Sequence, residues 1–405
     1  MACPTAVLAP QLTGYAEELA RAELDVARLE SRRDHHPHDL EMRVRLAYRL
    51  FHRASLTGSM AHFDAAELAI RETLHEFGPK EDLCLLQANL DFRFHRLADV
   101  LRDLEMCPLL PGRFEARVLL ADLKFQQGDY QAARQDFELL IAENRTWDNL
   151  ARLAHWKSKL GQIEEADRLY EEAEDDLTAK QMRAFAWLAL QRGVLAFTHG
   201  RYADAWKHYR RAEASYPGHW HTGEHVAELL AAEGRFKEAA ALFQSVIARA
   251  ANPVSFRPEL QQALGEVYLF AGQPAKAQSW LDRALEAYLD SVRRGGVHYF
   301  HHLADFYTDA RPEPAEAVRW ARKDIELRSN FSTQAALARA LYLNGKISEA
   351  MEFIRLALAS GVQDAAVFSA AARLFAAAGD ASESGRCADA ALRINPHHEN
   401  FHMHH

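Results

Sequence analysis

From about residue 114 onward, apolar residues recur at the spacing of helices with one buried face, and each run stops at a glycine. The stops are Gly128-Asp129-Tyr130, Gly161-Gln162-Ile163, Gly200-Arg201-Tyr202, Gly234-Arg235-Phe236, Gly272-Gln273-Pro274, Gly345-Lys346-Ile347 and Gly379-Asp380-Ala381. Successive glycines are 33, 39, 34 and 38 residues apart, then 73 across two units, then 34. A period near 34 with small loop insertions predicts a chain of repeated helix–turn–helix units, each burying its apolar face on the next.

Within each unit small residues hold fixed places. Seven positions before the glycine stand Ala121, Ala154, Gly193, Ala227, Gly265, Ala338 and Ala372, with Ala304 in the unit that turns at Arg311 to Pro314. Five positions after it stand Ala133, Ala166, Ala205, Ala239, Ala277 and Ala350, with Ala317 and Ser384 in the remaining units. Two helices can cross closely only where neither carries more than a methyl group. Larger residues follow at Phe137, Tyr170, Tyr209, Phe243, Leu281 and Ile354, placed to fill the space toward the next unit.

This arrangement resembles the tetratricopeptide repeat, over about Phe114 to Pro396, in eight repeats starting near 114, 147, 186, 220, 258, 297, 331 and 365. The family's helix A tryptophan is missing, and its terminal proline survives only at Pro217 and Pro396. The resemblance implies an all-α fold, a right-handed α-solenoid superhelix of antiparallel helix pairs. Residues 1–113 read as an N-terminal helical region with diverged repeats, hinted at by Leu46-Ala47, Ala65-Ala66 and Leu86 to Leu104. Residues 397–405 read as a histidine-rich tail outside the fold.

Charge narrows the partners. Of 405 residues, 49% are hydrophobic and 26% charged, a composition that folds and does not stay disordered. Lys plus Arg is 48 against 57 Asp plus Glu, a net charge of −9, so neither nucleic acid nor an anionic membrane is expected as partner. Cys3, Cys84, Cys107 and Cys387 are scattered with no C-x-x-C pair, which signals neither a disulfide framework nor a cysteine zinc site. With no secretory pattern in Met1 to Leu12, the expected location is cytoplasmic.

In the family the concave groove is lined by helix A, and the resemblance carries that role to specific residues here. Asp122, His155, Glu228, Glu266 and Asp305 fall on one groove position, and Trp187, His221, Glu259 and His298 on another. The groove is therefore expected to be acidic and rich in histidine, and to suit a protein or peptide of basic character. The Lys, Arg and Asn of the family's carboxylate clamp are absent.

Fourteen of the 21 histidines fall in four clusters, at 35–38, 219–225, 298–302 and 397–405, and two of these clusters start helix A segments. His221 with His225, His298 with His302, and His301 with Asp305 are each four residues apart, the spacing at which one helical face offers two ligands to a metal. Glu228, Glu259 or Glu266 could supply a third. Imidazole with carboxylate admits a divalent transition metal as cofactor without choosing which. No phosphate loop, H-E-x-x-H or nucleophile elbow is present, and the repeats leave no room for a catalytic domain. Two readings result: a non-catalytic scaffold binding a partner in the groove, and a metal-binding protein, chaperone or metal-dependent enzyme, with His221, His225, His298, His301, His302 and Asp305 as ligands.

Overall fold

The computed structural model describes residues 14–249 and 257–401, and these are all helix and connecting turns. Five helices come first, α1 (Tyr15–His35), α2 (Leu40–Thr57), α3 (Met60–Phe77), α4 (Glu81–Arg93) and α5 (Leu97–Glu105). Eight hairpins follow: α6 (Phe114–Gln126) with α7 (Tyr130–Glu143), α8 (Trp147–Lys159) with α9 (Ile163–Asp175), α10 (Met182–Thr198) with α11 (Tyr202–Ser215), and α12 (Trp220–Ala232) with α13 (Phe236–Arg249). Then come α14 (Pro258–Phe270) with α15 (Pro274–Arg293), α16 (Phe300–Asp305) with α17 (Pro314–Leu327), α18 (Phe331–Leu343) with α19 (Ile347–Ala359), and α20 (Ala365–Ala377) with α21 (Ala381–Ile394).

The small residues do what their size permits. Ala121, Ala133, Ala154, Ala166, Ala205, Ala227, Ala239, Ala277, Ala317, Ala338 and Ala350 are fully buried where paired helices cross. At Gly193 the approach is closer still, because a Cβ there would stand 2.2 Å from Cε1 of the buried Tyr209. The turn glycines, Gly128 through Gly379, have φ between 69° and 84°, a conformation that L side chains resist.

The solenoid winds tightly enough for one superhelical turn to rest on the next. The Asn330 amide donates to the Gln126 carbonyl across 204 residues, and the Phe331 N–H donates to the Tyr130 hydroxyl across 201. The Gln363 N–H reaches the Lys159 carbonyl, and the Tyr15 N–H reaches that of Pro217. A turn therefore takes about 200 residues, or six repeats of about 34. The N-terminal helices form the first part of that wall: Trp220 Nε1 donates to the Leu56 carbonyl at 2.9 Å. Residues 397–401 also pack inward, with Asn400 donating to the Ala232 carbonyl and Phe401 buried against Phe270. The tail up to Phe401 thus belongs to the fold, contrary to the expectation from its composition, because its aromatic end buries like any other.

One contact between turns is tuned by charge. Burial pulls the Glu18 carboxyl up, but hydrogen bonds from His52 and Tyr216 and the nearby Arg183 outweigh it and lower it to about 2. A depressed carboxyl stabilises the fold above its unfolded value near 4.5, and that stability is lost as pH falls through 4.5 toward 2. Packing of α1 on α11 is expected to weaken over that window. Near-ultraviolet circular dichroism of the wild type should show it, and Glu18→Gln should abolish the dependence at the cost of a weaker contact at neutral pH.

No helix among the described residues is long and apolar enough to cross a membrane. The described cysteines, Cys84, Cys107 and Cys387, are free and buried, with Cys84 Sγ and Cys107 Sγ in contact at 3.3 Å. Cys3 lies outside the described residues.

Candidate metal centre

The interior between the turns holds two adjoining compartments, both bordered by Thr198, Asp364 and Ala365. The larger, about 500 Å³, is lined by His95, His298, His301, His302, Glu266, Asp305 and Asp324 together with Arg328, Arg339 and the tail residues His397 and His398. The smaller, about 280 Å³, is lined by His155, His199, His221 and His225. Histidine is intermediate between core and surface residues, and ten imidazoles border these two compartments, eight of them at least partly buried, with His155 and His397 exposed.

Two groups in the larger compartment have the composition of metal sites. Glu259, His298 and His302 form one triad, and His95, His301 and Asp324 form the other; within each, the ligand-type atoms lie within 4.8 Å of one another. The triads adjoin, with the His301 and His302 rings 3.9 Å apart and those of His95 and His298 5.5 Å apart. Each is two histidines and one carboxylate, a donor set suited to a divalent first-row metal with coordination positions left open.

Burial sets the protonation these ligands need. The His298 imidazole is pushed down to about 3 by burial, reinforced by the charges of Arg93 and Arg328, and burial holds His95 and His301 well below the ordinary imidazole value. All three are neutral near pH 7, with a lone pair to give. Four buried atoms of the six residues lack any hydrogen-bond partner: Nδ1 of His95, His298 and His301, and Oε2 of Glu259. Orphaned buried polar atoms cost about 1–3 kcal/mol each, so four in one place need compensation. Asp324 is bound by Arg328 through both oxygens, at 3.1 and 3.3 Å, which fixes its carboxylate and leaves each oxygen a lone pair.

The backbone departs from the repeat pattern at these same places. His95 is the one non-glycine residue with positive φ among those described, at 61°. It stands in the α4–α5 turn where seven of the eight later hairpins have glycine. Its N–H bonds to the Phe92 carbonyl and that of Arg96 to Asp91, the pattern by which Gly128 and Asp129 bond to Phe125 and Lys124. A left-handed histidine costs roughly 1–2 kcal/mol over glycine, the kind of strain kept where a side chain has work to do. The second departure follows α16, whose chain widens into a π-helical turn over Phe306–Ala310, a feature frequent at functional sites.

The family model described as tetratricopeptide repeat matches residues 230–294, and that of the TT21 fifth ARM repeats domain matches 115–212. Among solved structures, a tetratricopeptide repeat protein from Parabacteroides merdae ATCC 43184 is 15% identical, covering 63% of this chain and 98% of its own, with a TM-score of 0.44. The human IFIT1 dimer with PPP-AAAA is 14% identical, covering 85% and 79%, at 0.47, and the same dimer with m7Gppp-AAAA is 13% identical, covering 85% and 78%, at 0.48. No curated protein matches the chain significantly.

Within this tetratricopeptide-type solenoid the residues singled out by sequence separate. His298, His301 and His302 come together, whereas His221 and His225 line the other compartment. His298 sits in the turn before α16, which begins only at Phe300, so it meets His302 from outside the helix. Asp305 and Glu266 line the larger compartment without joining either triad; burial raises the Asp305 carboxyl to about 7, and Glu266 accepts from Gln262. Glu228 hydrogen-bonds His225. Asp122 is ion-paired with Arg152 at 2.9 Å, and Trp187 lies 40% exposed, edge-on to Trp147. Neither Asp122 nor Trp187 borders a compartment. Sequence reasoning missed His95, Asp324 and His199. For His95 a signal existed, a histidine in the glycine place of a diverged repeat; Asp324, on helix B and 23 residues from His301, offered none.

Proposed function

We propose that this solenoid is a metal-binding protein whose interior holds two adjacent transition-metal ions, one on Glu259, His298 and His302 and one on His95, His301 and Asp324. The observation that carries the reading is that four buried ligand-type atoms in the two triads have no hydrogen-bond partner among the described residues. Three protein ligands leave positions open on each ion, and these face a cavity of about 500 Å³, room for a small molecule. Two-histidine, one-carboxylate ligation points to Fe(II) ahead of zinc, with Mn(II) admitted by the carboxylates.

The test is elemental analysis of protein ending at Phe401, loaded anaerobically with Fe(II), or with Zn(II) in parallel, and then desalted. Wild type is expected to retain about two equivalents more than a His301→Ala, His302→Ala variant of unchanged helicity. Equal retention by the two proteins sinks the reading.

A second reading, a scaffold for a protein or peptide of basic character, is favoured by one observation: Trp187 is exposed beside Trp147, and half-exposed tryptophans are typical anchors of protein contacts. Such a partner would dock outside the two compartments. An RNA end like that of the human structures would need free cations for its phosphates; Arg328 and Arg339 in the larger compartment are committed to Asp324 and Asp309, which leaves Arg373 there and Lys159 in the smaller one.

A further inference from the structure

The smaller compartment is chemically unlike the larger. Its histidines are His155, His199, His221 and His225, and the one carboxylate on its wall is Asp364, at the shared border. On α12, His225 Nε2 and His221 Nε2 face each other at 3.2 Å. Behind His225, the fully buried Glu228 carboxylate meets Nδ1 at 2.7 Å. With Glu228 ionised it accepts there and Nδ1 carries the proton. The same carboxylate raises the affinity of His225 for a second proton on Nε2, which a metal ion would have to displace. The ring is also clamped from below by Tyr209, stacked at 6.0 Å with an 18° tilt.

We infer that His221 and His225 form a separate, one-metal site, oriented by Glu228, that takes a borderline cation such as Cu(II) or Zn(II) on nitrogen ligands. Two imidazole nitrogens bound at about 2.0–2.1 Å to one ion stand about 3.3–3.4 Å apart in tetrahedral geometry, as for Zn(II), and about 2.8–3.0 Å apart at cis positions of tetragonal Cu(II), and the 3.2 Å found lies between the two. A carboxylate behind a ligating imidazole is the arrangement that fixes tautomer and ring angle at metal sites. His199 borders the same compartment, its Nδ1 facing the Leu195 carbonyl at 2.8 Å, but it does not join the pair, so the other coordination positions fall to ligands from outside the chain. Charges around the pair come from several elements: Glu224 and Glu228 on α12, Arg257 before α14, and His219. A nitrogen-only set holds copper most tightly and manganese or iron least; the carboxylates of the triads make the harder metals more acceptable without reversing that order. The inference does not depend on those triads, because no residue is shared.

The alternative for the pair is an N–H···N hydrogen bond with no metal, and a copper titration separates the two. Protein ending at Phe401 is titrated with Cu(II) in a glycine-buffered solution that suppresses binding by exposed histidines, and read by electron paramagnetic resonance. Wild type is expected to bind about one equivalent more than His221→Gln, with nitrogen hyperfine structure that the variant lacks. Glu228→Gln is expected to weaken that equivalent about 10–100-fold while retaining it. The His301→Ala, His302→Ala variant should bind it unchanged, so failure of the larger centre leaves this result standing. Equal copper binding by wild type and His221→Gln, with both folded by circular dichroism, overturns the site; an undiminished affinity in Glu228→Gln overturns the orienting role.

Discussion

His95→Gly is expected to make the metal-free protein more stable and the metal-loaded protein poorer by one ion. The two effects have separate physical origins. In the α4–α5 turn the residue holds φ at 61°, so glycine relieves roughly 1–2 kcal/mol of backbone strain. It also removes a buried Nδ1 that has no partner, which is a further gain. Against this stand the lost ring contacts with His298 at 5.5 Å and His301 at 5.2 Å. The net expectation is a gain of about 1 kcal/mol in chelated protein, read as a higher denaturant midpoint. Metal retained after Fe(II) loading should fall by about one equivalent, because Fe(II), among the more weakly held divalent metals, would leave a site of only His301 and Asp324 on desalting. A histidine there for structure alone would show no metal loss, and one that packs well would show no gain in stability. His95→Ala provides the contrast: it loses the ligand and the orphaned Nδ1 but keeps the strain, so metal falls to the same extent with a smaller gain than in His95→Gly.

His95 also shows where sequence reasoning reached its limit. The repeat period, the crossing alanines and the glycine turns were legible because each follows from a local constraint, helix packing or a positive φ, that one residue type satisfies. Glycine at Gly193 and Gly265, in place of alanine, was legible too, and the structure gives the reason: Tyr209 and Leu281 lie where a Cβ would be. The winding was not legible. Whether turns of about 200 residues touch depends on small rotations summed over six repeats, and no short pattern encodes that sum. Yet that winding brings the α4–α5 turn to α16, and so places His95 beside His298 and His301.

For the same reason the histidine spacing was informative about pairs and misleading about the whole set. The i, i+4 rule joined His221 to His225, and the structure keeps them 3.2 Å apart. It joined His301 to Asp305 as well, but the nearest charges on Asp305 are Arg339 and Asp309, while His301 meets Asp324 from the next helix. Helical spacing says which residues share a face, and burial against a neighbouring element decides which of them meet. The two irregularities, a left-handed histidine and a π-helical turn after α16, are places where local rules fail together, and both border the larger compartment. A chain otherwise so regular keeps such exceptions where chemistry requires them.

Trp220→Ala is expected to part the two turns at their first contact and to open the interior. Trp220 begins α12 and reaches back across 164 residues, donating from Nε1 to the Leu56 carbonyl at 2.9 Å. The Arg257 guanidinium lies over its ring, 3.1 Å from the centroid, and a Cβ on Gly58 would meet the ring at 3.0 Å, so indole, guanidinium and the end of α2 form one sandwich. Removing the indole deletes a large apolar contact, a hydrogen bond and a cation–π contact together, a loss of about 3–5 kcal/mol. Because repeat proteins add stability mainly between neighbours, the loss should fall on the docking of α1 to α3 and leave the distant repeats folded. Limited trypsin digestion should then cut at Arg49 and Arg53 in the variant long before the wild type, while fragments from α17 onward survive in both. The metal of the larger centre should exchange faster with a chelator, since part of the wall has loosened. Trp220→Phe keeps the ring and the stacked arginine but not the N–H, so it should cost only about 1 kcal/mol and leave the digestion pattern near that of wild type. Unchanged cleavage in Trp220→Ala would mean that the N-terminal helices are held mainly at the neighbouring Tyr15–Pro217 and Glu18–Tyr216 contacts.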